Sequence, residues 1–137
     1  MPDARSDFAP VSEAVTRSVR VEVMAQHSPG NSHPSQGEWV FQYTVRITNE
    51  GSGSVQLISR HWIITDANDT VQEVRGLGVI GEQPLLKPGE HFEYTSGTAL
   101  ATPVGTMHGE YQMVTEDGTQ FDARIPEFTL TVPRVLH

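Results

Sequence analysis

WVFQYTVRITN, at residues 39–49, carries the clearest secondary-structure signal in the chain. Large apolar residues occupy every second position of this segment, and Gln, Thr and Arg lie between them. Successive side chains of a β-strand point to opposite faces, so this period of two predicts a strand with one buried face. We expect its apolar face to supply half of the hydrophobic core.

The flanking segments continue the pattern. Residues 18–26 alternate in the same way, whereas residues 55–65 are apolar on both faces and therefore predict a central strand. Turn-forming residues separate the strands, as in the loop at residues 27–37 and the hairpin at residues 66–70. Pro126 cannot donate a ladder hydrogen bond, so the last strand is predicted to be an edge strand or to be bulged there.

The number of such segments predicts the fold class. Seven or eight short strands with regular turns indicate an all-β fold, an immunoglobulin or fibronectin-III-like β-sandwich of two antiparallel sheets. The 137 residues suffice for one such domain. Residues 1–15 have no sustained period and are predicted to form a flexible N-terminal arm, and residues 16–137 are predicted to form the sandwich.

Composition narrows the expected partners and compartment. The formal charge of −8 repels phosphate backbones, and no run of Lys and Arg interrupts it, so we expect no nucleic-acid partner. Basic amphipathic stretches are missing as well, so we expect no membrane partner. The first 15 residues lack the apolar core of a signal peptide and no segment is long enough to span a membrane, so the cytoplasm is the expected location.

A glycine block at residues 76–81 is the strongest candidate for a ligand site. Gly76, Gly78 and Gly81 fit the pattern GxGxxG, in which backbone N–H groups and a helix N-terminus hold pyrophosphate. Pro84 follows where a helix should begin, so a dinucleotide-binding fold is not predicted. Two interpretations stay open: a structural turn or bulge, and a helix-free anion nest.

Two arginines favour the anion nest. If the hairpin turns around Asn68, positions that pair across it sum to about 136, which places Arg60 opposite the region of Arg75 and Gly76. The two guanidinium groups would then flank the glycine amides and bind phosphate or a carboxylate through charge-assisted hydrogen bonds. Alternatively, both arginines pair only with nearby acids of this chain.

Patterns for catalysis and metal binding are not found. The six histidines lack the ligand spacing of a zinc site or a facial triad, so we predict no metal site and no cofactor. Ser96 lacks a nucleophile elbow, a base and an orienting acid. We therefore expect no enzymatic activity.

Five blocks of sequence, in order over most of residues 16–137, resemble the signature of the bacterial ApaG family. They are SRHW at 59–62, GLGVIGEQP at 76–84, PGE at 88–90, YTSG at 94–97 and GTMHGEY at 105–111. The resemblance implies a fibronectin-III-like sandwich that often forms a homodimer, and a genetic association with cobalt and magnesium resistance. Related domains in eukaryotic F-box and polymerase-interacting proteins imply a partner-binding role.

The function predicted from these observations is a non-enzymatic binding module, with an unidentified protein as its partner. The alternative is a pyrophosphate- or nucleotide-binding protein that uses the loop at residues 76–81, with a phosphate-containing small molecule as ligand. The resemblance adds a homodimer as a further expectation.

Overall fold

The computed structural model describes residues 8–133, which form two antiparallel β-sheets packed face to face. Short turns join most of the strands, and the loop before β3 contains two short 3-10 turns, Pro29–Asn31 and Pro34–Gln36. The strands are β1 (Ser12–Thr16), β2 (Val19–His27), β3 (Trp39–Asn49), β4 (Val55–Asp66), β5 (Val71–Leu77), β6 (Leu85–Leu86), β7 (His91–Leu100), β8 (Val104–Thr115) and β9 (Gln120–Thr131).

The order of strands confirms the predicted sandwich. One sheet has the order β1-β2-β3-β7 and the other has the order β5-β4-β8-β9, with β6 paired to β4 next to β5. Without β1 and β6, seven strands remain, in the arrangement of an immunoglobulin-like sandwich. The short strands β1 and β6 bring the number to nine in residues 8–133, which exceeds the predicted seven or eight.

The core lies between the sheets and is built from alternate residues of each strand. In β3, Phe41, Val45 and Ile47 are fully buried and Tyr43 is nearly so, which confirms the predicted inward face. Tyr43 packs edge-on against Trp62 of β4, with ring centroids 5.2 Å apart. Burial of each such side chain stabilises the fold by roughly 1.5–3 kcal/mol.

β4 is the central strand of its sheet, as predicted, because β5 and β6 pair with one side of it and β8 with the other. A β-bulge at Ile58 shifts the register with β8 between Leu57 and Ser59. The bulge adds one residue, so the inward-facing positions change from odd to even. Arg60 and Trp62 therefore face the other sheet, which explains why this segment is apolar on both faces.

The last strand has both features that Pro126 predicts. Among the strands of residues 8–133, β9 pairs with β8 alone and is therefore an edge strand. Its register with β8 shifts at Pro126, between the pairs Met107–Phe128 and Gly109–Ile125.

The N-terminal arm is shorter than the sequence predicts. Residues 12–16 form β1, which pairs with β2, so the prediction of a flexible arm is wrong for residues 12–15. Residues 1–7 of the predicted arm lie outside the described residues. A segment of five residues is too short to show a clear alternation of apolar and polar residues. Its conformation depends on pairing with β2, which follows it in the chain.

Candidate functional site

The hairpin of β4 and β5 places Arg60 beside the glycine block. Positions that pair across it sum to 136, as predicted, so Arg60 pairs with Gly76. The turn is stabilised by Asp66, whose Oδ1 accepts hydrogen bonds from the N–H groups of Asn68 and Thr70. Local turn chemistry therefore determines which residue faces Arg60.

The glycine block combines the end of a strand with a tight turn. Gly76 lies in β5, and the turn that follows is closed by two hydrogen bonds between Val79 and Glu82. The N–H of Gly78 donates to the carbonyl oxygen of Ile58 in the bulge of β4, at 2.8 Å. The amides of Gly78 and Val79 are thus used inside the protein, and within residues 8–133 no helix follows the block. The interpretation of the block as a structural turn describes this segment.

Arg60 is held on the inner face of β4 by two backbone carbonyl groups. Its Nη1 donates to the carbonyl oxygen of Leu77 at 3.0 Å and to that of Gly78 at 2.8 Å. The guanidinium lies over Gly76, where a side chain would collide with it. No acid among residues 8–133 forms a salt bridge with Arg60, so its charge is not neutralised by that part of the chain.

The predicted cluster of two arginines does not form. Arg75 is adjacent to Gly76 in β5, and neighbouring residues of a strand face opposite sides of the sheet. Its side chain lies on the outer face, with Nη2 3.9 Å from Oε1 of Glu73. The structure therefore brings Arg60 to Gly76 and Gly78, whereas Arg75 is on the other face and Gly81 is exposed in the turn.

A cleft opens between the two sheets beside Arg60. It encloses about 170 Å³, and its lining includes Tyr43 from β3, Trp62 from β4, Val74 from β5 and Ser96 from β7. Sequence analysis assigns Tyr43 to the core and treats Ser96 only as a poor nucleophile. Tyr43 and Ser96 are far apart in the sequence and become direct neighbours because β3 pairs with β7.

Tyr43 and Ser96 supply hydroxyl groups to this cleft beside the guanidinium of Arg60. Burial raises the pKa of Tyr43, while the Ser96 hydroxyl and the charge of Arg60 oppose the rise, so the phenol stays protonated. Trp62 also lines the cleft. Its indole N–H is the one buried side-chain polar group without a hydrogen-bond partner within residues 8–133.

The outer face of the same sheet holds a cluster that the sequence pattern does not indicate. Nδ1 of His61 lies 2.8 Å from Oε1 of Glu110, and its Nε2 lies 2.7 Å from Oε1 of Glu73. Carboxylates only accept hydrogen bonds, so making both bonds requires both ring nitrogens to donate, which is the imidazolium form of His61. Glu110 first, and then Glu73, raises the pKa of His61 through these bonds. The one signal for this cluster in the sequence was the predicted hairpin. It pairs His61 with Arg75 and therefore brings Glu73 close to His61.

β1 and β9 close one side of the sandwich. The hydroxyl of Ser12 donates to the carbonyl oxygen of Glu127 at 2.8 Å, and the N–H of Arg124 donates to Oγ1 of Thr16 at 3.1 Å. β5 and β7 are the edge strands on the other side. Within the described sheets they have no further strand as a neighbour.

β5 presents an open edge with exposed apolar residues at both ends. Gly78 and Thr70 bond to β4 at its two ends, so by the alternation of antiparallel ladders the even-numbered residues bond to β4. The backbone groups of the odd-numbered residues then point to the open edge. Their side chains form an exposed row, in which Leu77 is 76% exposed; the row is Val71, Glu73, Arg75 and Leu77.

Comparison with known proteins identifies the family. The family model of the ApaG domain matches residues 29–115. The chain belongs to the ApaG family. The ApaG protein of Thiobacillus denitrificans is 60% identical over 127 residues, which are 93% of this chain and 100% of that relative. The ApaG protein of Aromatoleum aromaticum is 57% identical over the same shares of the two chains.

Solved structures support the ApaG fold. The crystal structure of the putative ApaA protein from Bordetella pertussis has a TM-score of 0.83 and 59% identity, and covers 85% of this chain and 95% of that one. The C-terminal domain of wzt has a TM-score of 0.54 at 10% identity, with coverage of 91% and 79%, and is similar in fold alone.

Other features of this ApaG domain bear on metals and membranes. Within residues 8–133, no group of three or more His, Asp or Glu side chains is arranged to hold a metal ion. The described part of the chain also has no helix with the length and apolarity needed to cross a membrane.

Proposed function

We propose that this ApaG-family domain is a non-enzymatic protein-binding module that adds a strand of a partner chain to the open edge of β5. The observation that carries the proposal is the row of exposed side chains and outward backbone groups on β5. Extended segments bind such edges through main-chain hydrogen bonds, and the neighbouring side chains provide specificity.

β5 is better suited to this role than the other open edge. The outward residues of β7 include Thr95, Gly97 and Ala99, which are polar or small. The outward row of β5 begins and ends with the exposed apolar residues Val71 and Leu77. Exposed apolar side chains beside an unpaired strand are typical of interaction sites, and β5 contains neither Lys nor Pro to block pairing.

A second copy of this chain fits the edge. In an antiparallel pairing of two β5 strands about a twofold axis at Val74, Val71 of each copy lies opposite Leu77 of the other. Glu73 likewise lies opposite Arg75, so the pairing makes two apolar pairs and two ion pairs. Two strands of seven residues bury less than the roughly 1,200 Å² of a stable interface, so we expect a weak, concentration-dependent homodimer.

Charge reversal tests the pairing. R75E and E73R each place like charges opposite one another, so each variant alone is expected to sediment as a monomer where the wild type dimerises. An equal mixture of the two variants should dimerise again, because the acidic row of one faces the basic row of the other. Analytical ultracentrifugation measures all of these states.

Matched controls separate the interface from net charge. K87E and E38R make the same charge changes at exposed positions outside β5, so both are expected to dimerise like the wild type. Single variants that dimerise normally, or a mixture that stays monomeric, would exclude the β5 edge. A wild type that stays monomeric up to about 1 mM would reject the second copy as partner.

Anion binding is the second candidate function. The observation in its favour is the guanidinium of Arg60, which no acid within residues 8–133 pairs with. A pyrophosphate nest in the glycine block is less well supported, because the amides of Gly78 and Val79 already donate within the protein. Among the described residues, Arg60 of β4 is also the one arginine beside the glycine block on the inner face.

A further inference from the structure

The cleft between the sheets contains the features of a small-ligand site. It encloses about 170 Å³ and is bounded on several sides by residues of β3, β4, β5, β7 and β8. This volume is below the roughly 300 Å³ at which sites for drug-sized ligands begin. The volume therefore favours a small organic molecule over a ligand the size of a nucleotide.

The positive charge of Arg60 in the cleft favours a negatively charged ligand. Nη1 of Arg60 is committed to two carbonyl oxygens, and these contacts fix the orientation of the guanidinium. No hydrogen bond from Nε or Nη2 to residues 8–133 is formed. These two nitrogens present the side-on pair of donors that binds a carboxylate in a bidentate manner.

Two residues with hydroxyl groups line the same cleft, Tyr43 from β3 and Ser96 from β7. Each hydroxyl group can donate a hydrogen bond to a carboxylate oxygen. Trp62 also lines the cleft, but its indole N–H is buried and is not accessible from it.

Apolar side chains form another part of the lining and limit the charge of the ligand. Val74, Ile64 and Met107 line the cleft together with Gly97 and Thr98. One guanidinium neutralises one negative charge, whereas a phosphate dianion or pyrophosphate would leave uncompensated charge against the apolar residues. A monovalent anion with a short apolar body matches the guanidinium and these apolar residues.

We propose that this cleft is a binding site for a small aliphatic monocarboxylate, held by Arg60 with Tyr43 and Ser96. The carboxylate accepts hydrogen bonds from the guanidinium and from the hydroxyl groups, and the aliphatic body lies against Val74 and Met107. The site is separate from the proposed binding edge, because it lies on the inner face of β5 and that edge is formed by outward groups.

Titration with butyrate tests the proposal, followed by amide chemical shifts of the full chain. Butyrate should shift amides of residues 43, 60, 74 and 96 and saturate, while butyramide, of the same shape without the charge, should not. R60Q should weaken butyrate binding by roughly tenfold or more. R124Q removes an exposed arginine of β9, outside both the cleft and the β5 edge, and should bind butyrate like the wild type.

Two further measurements test the class of the ligand and the role of Tyr43. Inorganic phosphate and pyrophosphate should cause no saturable shift in the cleft, and saturation by either of them in place of butyrate would show that the ligand class is wrong. Y43F keeps the packing of the ring and serves if R60Q does not fold, since loss of the phenol should weaken binding several-fold. Equal binding of butyramide, no saturable butyrate shift, or full binding by a folded R60Q or Y43F overturns the proposal.

Discussion

The guanidinium of Arg60 lies so close to the backbone of Gly76 that a Cβ atom at position 76 would be 2.8 Å from it. The two residues are directly paired across β4 and β5. Gly76 is therefore required by space and not by a left-handed backbone, because its φ is not positive. Arg60 depends on this absence of a side chain to reach the carbonyl oxygens of Leu77 and Gly78.

Gly76→Ala is predicted to displace Arg60 at a small cost in stability. The colliding group is the end of a flexible side chain, so the free energy of unfolding should fall by less than about 1 kcal/mol. The amide signals of Gly78 and Val79 should move, because these N–H groups share peptide units with the carbonyl groups of Leu77 and Gly78, which lose a donor. Chemical denaturation and amide spectra measure both effects. Gly53→Ala, at a position with nothing within 4 Å, is the control, and a loss above about 2 kcal/mol at position 76 would contradict this prediction.

Gly109→Ala is predicted to be far more damaging. A Cβ atom there would lie 1.9 Å from the carbonyl oxygen of His61, which is backbone of the neighbouring central strand. The strands β4 and β8 must then separate, which should lower the free energy of unfolding by about 2–4 kcal/mol or prevent folding. Thermal and urea unfolding measure the loss, again against Gly53→Ala. Equal stability of the two variants would mean that the strands adjust easily.

The buried pair of Tyr94 and Tyr111 is predicted to be strongly coupled. Their hydroxyl groups bond to one another inside the core, and burial raises the pKa of both phenols. Replacing either residue by Phe leaves the other hydroxyl without this partner, which should cost about 1–3 kcal/mol. The double variant should be more stable than the sum of the single losses predicts, by about 1 kcal/mol. Additive losses in urea unfolding would show that the bond contributes little.

His61 is predicted to make stability depend on pH. Its pKa is raised above the ordinary value of 6.5, so its bonds to Glu110 and Glu73 stabilise the fold fully below that pH. This contribution is lost as the pH rises through the folded-state pKa, because the imidazolium loses a proton. The melting temperature of the wild type relative to H61Q should therefore fall from pH 6 toward higher pH. H91Q, at an exposed histidine, is the control, and a difference between wild type and H61Q that does not change with pH would contradict the assignment.

The register of the site was predictable, whereas the orientation of its side chains was not. Asn68 and its neighbours mark the hairpin turn, and counting outward from them pairs Arg60 with Gly76. The bulge at Ile58 then sets which face of the sheet each residue of β4 occupies. A bulge has no reliable pattern in one sequence, because it arises from the pairing of two strands. The predicted cluster of Arg60 with Arg75 failed for a different reason, because Arg75 is adjacent to Gly76, the partner of Arg60, and neighbouring residues of a strand face opposite sides.

The clusters that join distant segments could not be predicted either, because they depend on which strands pair. His61 and Glu110 are 49 positions apart and meet through the ladder of β4 and β8. Ser96 reaches the cleft through the pairing of β3 with β7. Residues 12–16 carry no clear period and become a strand only because β2 accepts them.

Alternation of apolar and polar residues is a local property, since every strand turns successive side chains to opposite faces. For this reason the amino-acid order alone determined the β-sandwich, the inward face of β3 and the hairpin at residues 66–70. The open edge of β5, the cleft around Arg60 and the imidazolium of His61 depend on which strands become neighbours and where a bulge reverses a face. Those choices are made by packing between segments far apart in the chain, and only the tertiary structure contains them.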